Sequence, residues 1–157
     1  MRKAKVNLIN LLYPIIIGDK MDLTKEFPRS PYDMMAGIVM LPRTLDKCKA
    51  YLANTLGEYH YNCPLDEGLF EFLGVGSEEF AKKVKESGSD EKIEKWARDK
   101  LKDKSQEEEK DQFNNRMRHS IPEDEESQEW LESEKKRIGK DNYFSYFDNI
   151  DADEGRF

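Results

Sequence analysis

A short stretch of the chain, residues 58–66, concentrates side chains that could do chemistry. It holds an imidazole, two phenols, an amide, a thiol and two carboxylates within nine positions. Pro64 suits the first turn of a helix, which would put Cys63 at the helix N-terminus, where the helix dipole favours negative charge. His60, three residues earlier, could act as a base for this thiol, which is the pairing that nucleophilic thiol catalysis requires. If the protein carries out any chemistry, we therefore expect it at residues 58–66.

Three functions compete for these residues. A binding module would hold a small polar or anionic ligand, or a protein partner, in a pocket built from the loop and the helix before it. The candidate ligand-binding residues are Arg43, Asp46, Tyr59, His60, Asn62 and Asp66. An enzyme would use His60 as acid or base, with Cys63 as nucleophile or Asp46 as orienting carboxylate. A structural or interaction protein would bury the loop as a hydrogen-bond hub. The binding module is our leading hypothesis, and the question of enzymatic activity stays open.

Metal binding is not predicted. His60, Cys63 and Asp66 are spaced by three residues, and Asp46 or His119 could complete a tetrahedral set. Structural zinc normally takes paired ligands from two separate positions, whereas this chain offers one loose triplet. The residues identify no cofactor either, because the chain has no glycine-rich phosphate loop or dinucleotide motif.

Composition limits the partners and the compartment. The net charge of −7 and the pI near 5.0 argue against nucleic acid, which needs a concentrated basic surface. Two cysteines are too few for a disulfide framework, so we predict a reducing, cytoplasmic location.

The first twenty residues differ from the rest of the chain. A basic start is followed by an apolar run at 6–17, which is shorter than the roughly 20 residues of a membrane helix. We interpret residues 1–20 as an extension and residues 21–157 as a single helical domain. No membrane association is predicted, although an uncovered apolar run could support a homo-oligomer.

Helix signals recur along the domain. The apolar positions from Leu41 to Leu56 follow a helical period, with Pro42 in the first turn and Gly57 as the stop. The helices are expected to begin near Leu41, Pro64, Ser77, Ser89, Ser105, Pro122 and Tyr143. The expected glycine stops are Gly57, Gly74, Gly88 and Gly139. Only 37–40 and 58–61 carry β-type residues. We therefore predict an all-α fold of about six or seven short helices, with room for a minor two-stranded element.

Several longer motifs carry a family resemblance. They include Asp-Leu-Thr at 22–24, Pro-Arg-Ser-Pro at 28–31, Leu-Pro-Arg-Thr-Leu-Asp-Lys at 41–47 and the whole of 57–66. Later pieces at 72–75 and 147–151 fit as well. Together these motifs resemble the bacterial family known as domain of unknown function 5069. The middle of the chain departs from the family pattern, because the tryptophan expected near residues 112–113 is absent. Phe113 is expected to take its position in the core. The resemblance implies a small cytoplasmic bacterial domain and carries no activity with it.

Overall fold

The computed structural model describes residues 20–87, 89–104 and 107–157. Its helices in this part of the chain are α1 (Leu41–Leu52), α2 (Pro64–Leu73), α3 (Ser77–Ser87), α4 (Asp90–Lys100), α5 (Glu107–Arg118), α6 (Glu125–Ile138) and α7 (Tyr146–Asp153). A single 3-10 turn, Lys102–Lys104, follows α4. The prediction of a mostly helical fold with a minor two-stranded element is confirmed. None of the described helices is both long and apolar enough to cross a membrane.

The two strands form a small antiparallel hairpin before α1. Strand β1 (Met34–Met35) pairs with β2 (Ile38–Val39), and the two residues between them, Ala36 and Gly37, both have positive φ. Two such residues between paired strands are typical of a tight hairpin turn. Residues 58–61, the second segment with β-type side chains, form no strand, and Glu58 and Tyr61 lie in turns. The backbone N–H groups of the next two residues, Asn62 and Cys63, donate to the Asp66 side chain and not to a strand.

Helix α1 ends earlier than its apolar period predicts. It stops at Leu52, and Asn54 adopts a positive φ of 58°. Thr55 then donates its N–H to the Ala50 carbonyl and accepts from Leu23. The predicted helix to Leu56 is therefore too long, since this tertiary contact turns the chain away.

The other helix ends follow local signals, except that α6 and α7 each begin later than predicted. Gly74 ends α2 and Gly139 ends α6, both in the left-handed conformation, and Ser89 caps α4 through its hydroxyl. Helix α6 begins at Glu125 and not near Pro122, because Asp124 accepts from the Ser127 N–H and forms the cap. Helix α7 begins at Tyr146 and not near Tyr143, because the Ser145 hydroxyl accepts from the Asp148 N–H and forms the cap. The predicted stop at Gly88, the predicted start at Ser105 and the predicted extension, except for its last residue Lys20, lie outside the described residues.

The described apolar residues bury themselves in two clusters. The larger combines β2 with the inner faces of α1–α5 and takes Phe147 from α7. The smaller consists of Leu131, Tyr143 and Ala152, with Ile138 packed against it, and joins α6 to α7. Helix α7 therefore contributes to both clusters, through Phe147 and Ala152.

Candidate functional site

A cavity of about 890 Å³ lies beside residues 58–66. One side is formed by α1, this loop and the start of α2, and the other by the C-terminal end of α5, the middle of α6 and the length of α7. Most of the lining is apolar. It includes Met40, Pro64, Leu65, Met117, Trp130 and Ile150. Concave, mostly apolar spaces of this size with a few polar groups are the usual form of small-molecule sites.

The cavity brings together only part of the predicted site. Arg43, Tyr59 and His60 line it, as does the candidate nucleophile Cys63. Asp46, Asn62 and Asp66, which we expected to converge with them, are not part of the lining. The physical reason is that the two aspartates are engaged by other parts of the protein.

Asp66 is a buried hydrogen-bond hub beneath the loop. Its carboxylate accepts from Lys47 Nζ at 2.7 Å and from Thr44 Oγ1 at 2.6 Å. It also accepts from the backbone N–H groups of Asn62 and Cys63, at 3.0 and 3.1 Å. Because these donors come from α1 and from the loop itself, Asp66 fixes the loop against the helix. The Asn62 side chain is left exposed.

A second buried ion pair joins α1 to the end of the chain. The Arg43 guanidinium meets the Glu154 carboxylate through both terminal nitrogens, at 2.7 and 2.9 Å. The Tyr59 hydroxyl donates to the same carboxylate at 3.0 Å. Burial on its own would raise the pKa of Glu154, yet its bonds to Arg43 and Arg156 hold that pKa below the ordinary value of 4.5. Burial, reinforced by the Glu154 charge, raises the pKa of Tyr59, so its hydroxyl stays a neutral donor.

Asp46 is taken by the segment that precedes the hairpin. It accepts from the Arg29 backbone N–H at 2.9 Å and from the Arg29 guanidinium at 3.0 and 2.8 Å. Arg29 also pairs with Asp90, at the start of α4. Arg29 therefore links α1 to the start of α4, and Asp46 has no carboxylate oxygen free to orient His60.

His60 and Cys63 do not form the pair that the enzyme hypothesis requires. In the described part of the chain the exposed His60 ring has no hydrogen-bond partner, and only its backbone carbonyl is used, by Lys47 Nζ at 3.1 Å. The half-buried Cys63 Sγ accepts from the same ammonium at 3.3 Å. Lys47, absent from our predicted site, is thus the group that contacts the thiol.

Two sets of ionisable side chains in the cavity lining differ in burial and in their partners. We call Arg43, Lys47 and Glu154 the buried ion-pair wall, because each is buried and engaged by an opposite charge. We call the lining residues Glu58, His60 and Arg116 the exposed rim. Within the described residues, no rim side chain belongs to an ion pair. Sequence reasoning missed Arg116, whose only signal was its place beside the apolar Met117 in a predicted helix.

No arrangement for a metal is found among the described residues, where no group of three or more His, Cys, Asp or Glu side chains could hold an ion. His119, considered above as a fourth ligand, instead donates Nδ1–H to the Asn115 carbonyl at 2.9 Å.

Comparison with protein families gives a match over most of the chain. A family model described as a domain of unknown function (DUF5069) matches residues 25–156. The matched range contains both sides of the cavity and its rim. No curated protein matches the chain.

Proposed function

We propose that the chain, which belongs to the domain of unknown function 5069 family, is a small binding module. The family description names no activity, so the proposal rests on the cavity. Its ligand has an apolar body that enters the cavity and a polar or anionic end that stays at the exposed rim. A side chain of a protein partner with this chemistry would fit in the same way. The observation that carries the proposal is a mostly apolar cavity whose ionisable side chains without ion-pair partners, the exposed rim, are open to solvent.

The hydrogen bonds of the buried ion-pair wall support this division of the ligand. Among the described residues, no buried side-chain nitrogen or oxygen lacks a hydrogen-bond partner. A charged group entering beside the buried ion-pair wall would therefore lose its water without meeting an unpaired opposite charge, which costs free energy. An apolar group entering the same space gains roughly 25 cal/mol for each Å² removed from water.

Binding has more support than catalysis. The enzyme hypothesis needs His60 within hydrogen-bonding reach of the Cys63 thiol, and the side chain within reach of that thiol is Lys47. We also propose a bacterial cytoplasm as the setting, in line with the family resemblance. Both Cys48 and Cys63 are free thiols, which suits a reducing compartment.

Titration with a neutral fluorescent dye tests the proposal. Phenyl-naphthylamine carries no charge at neutral pH and becomes fluorescent in apolar surroundings. We expect saturable binding to one site of the wild type, weakened at least about ten-fold by Ser120→Phe, which adds a ring inside the cavity. The Ser120 backbone bonds would be kept, since its described hydrogen bonds use only main-chain atoms.

A matched variant controls for the added surface ring. Asn142→Phe places the same side chain at an exposed position outside the cavity lining and should bind the dye as the wild type does. A wild type that shows no saturable binding, or equal affinity in the wild type and Ser120→Phe, would contradict the binding module.

A further inference from the structure

The cationic side chains that line the cavity are unequally committed. They are Arg43, Lys47 and Arg116. Arg43 is held through both terminal nitrogens by the carboxylate of Glu154. The Lys47 ammonium has three acceptors within 3.3 Å, and an ammonium has three N–H groups to donate. Neither buried cation therefore has its charge free for a ligand.

Arg116 differs from both. In the described part of the chain its side chain has no carboxylate partner, and it is exposed to solvent. The guanidinium lies over the ring of Phe113, with 5.7 Å between its central carbon and the ring centroid. The next residue, Met117, is buried, lines the cavity and lies against Gly68 of α2. The backbone that carries Arg116 is thus anchored at the cavity.

The anionic lining is committed in a similar way. Glu134 and Asp153 both pair with Arg137, and Glu154 belongs to the buried ion-pair wall. Glu58 is the exception, since it is exposed and takes part in no ion pair of the described residues. The free charges of the cavity are therefore one guanidinium and one carboxylate, both at the exposed rim.

We infer that the cavity takes an amphipathic anion, whose acidic group pairs with Arg116 while its apolar ring or chain fills the interior. Guanidinium groups bind carboxylates and phosphates through two parallel hydrogen bonds. Contact with the Phe113 ring holds Arg116 in place before the ligand arrives, which lowers the entropy lost on binding. No described contact fixes the Glu58 side chain in this way. The inference rests on the proposed function, because it names the ligand class of that cavity.

Three ligands that share one body and differ in charge test this inference. They are naphthylacetate, naphthylethanol and naphthylmethylamine, titrated into the full chain by calorimetry at low salt. We expect all three to bind, with naphthylacetate about five-fold tighter than the alcohol, the range of a partly exposed ion pair. Arg116→Gln should remove this advantage and leave the affinity for the alcohol unchanged. The unchanged alcohol affinity also shows that the variant is folded.

Arg118→Gln is the matched control. It removes a guanidinium from the same helix, but Arg118 does not line the cavity, and its described contact is to the Met34 sulfur at 3.4 Å. This variant should keep the preference for naphthylacetate.

The outcomes separate the two proposals. Equal affinities for naphthylacetate and the alcohol would overturn the inference of an anionic ligand. A preference for naphthylacetate that persists in Arg116→Gln would overturn it too. Tightest binding of the amine would overturn it as well and assign the rim contact to Glu58. If none of the three binds, the binding module itself fails.

Discussion

The buried ion-pair wall and the exposed rim border the same cavity but use their charges in opposite ways. Arg43, Lys47 and Glu154 are at most 7% exposed, and each meets an opposite charge within 2.9 Å. Glu58, His60 and Arg116 are exposed and have no ion-pair partner in the described part of the chain. The first set lies where charge is costly without a partner, and the second where water already solvates it.

This difference indicates that the wall residues stabilise the fold and that the rim residues are available to a ligand. A buried charge is bound to its partner and cannot leave it for a ligand without a large cost in free energy. A rim charge can exchange water for a ligand at little cost to stability. We therefore expect changes in the wall to lower the free energy of unfolding, and changes in the rim to act on binding.

The largest effect is expected at Asp66. Asp66→Ala leaves the buried Lys47 ammonium without its carboxylate and removes the acceptor of two loop N–H groups. Breaking a buried pair from one side lowers the free energy of unfolding by about 3–5 kcal/mol. Urea denaturation followed by circular dichroism measures the change.

Glu71→Ala controls for the loss of a carboxylate from α2. Its side chain is exposed and makes no described hydrogen bond, so a change within about 0.5 kcal/mol is expected. Equal stability of Asp66→Ala and Glu71→Ala would mean that the wall does not hold the loop.

A smaller loss is expected at the second ion pair. Glu154→Gln keeps the shape of the side chain but removes the charge that meets Arg43 and accepts from Tyr59. Losing charge-assisted hydrogen bonds in a buried position lowers the free energy of unfolding by roughly 2–3 kcal/mol. The same denaturation experiment measures it, and an unchanged midpoint would show that the pair contributes nothing to stability.

Lowering the pH should reduce the difference in the free energy of unfolding between the wild type and Glu154→Gln. The folded-state pKa of Glu154 is below its ordinary value of 4.5, so its contribution to stability is full above that pH. The contribution is lost as the pH falls through the lowered folded-state pKa. The difference in unfolding free energy between the two proteins, measured at a series of pH values falling below 4.5, should therefore become smaller than it is at neutral pH. A gap that is constant over this range would contradict the charge pairing.

The helix ends that were predictable from the sequence are those set by local signals. Pro64 and Gly74 mark the ends of α2 because a proline in the first turn and a left-handed glycine after the last are properties of the helix itself. The roles of Arg43 and Asp46 were not readable in this way. Their partners, Glu154 and Arg29, lie far along the chain, and no spacing within α1 reveals them.

The candidate site was half predictable for the same reason. The loop at 58–66 was recognisable from its density of functional groups. Its opposite side comes from α5 to α7, and only tertiary packing brings Arg116 and Trp130 to the same cavity as His60. The end of α1 shows the same limit, because Leu56 fits the helical period but the tie between Thr55 and Leu23 overrides it.

The smallest effect on stability is expected at the exposed rim. His60→Ala removes a ring that has no described hydrogen bond, so the free energy of unfolding should change by less than about 0.5 kcal/mol. Urea denaturation checks this value. A loss comparable to that of Asp66→Ala would erase the distinction between the rim and the wall.

The most direct test of the binding module is to find where an apolar ligand contacts the protein. Met40 and Met117 line the cavity, whereas Met34 and Met35 form the hairpin strand outside it. With ¹³C-labelled methionine methyl groups, NMR titration with naphthylethanol should shift the Met40 and Met117 signals and leave those of Met34 and Met35 in place. Shifts confined to Met34 and Met35, or no saturable shift at Met40 and Met117, would contradict the cavity as the ligand site.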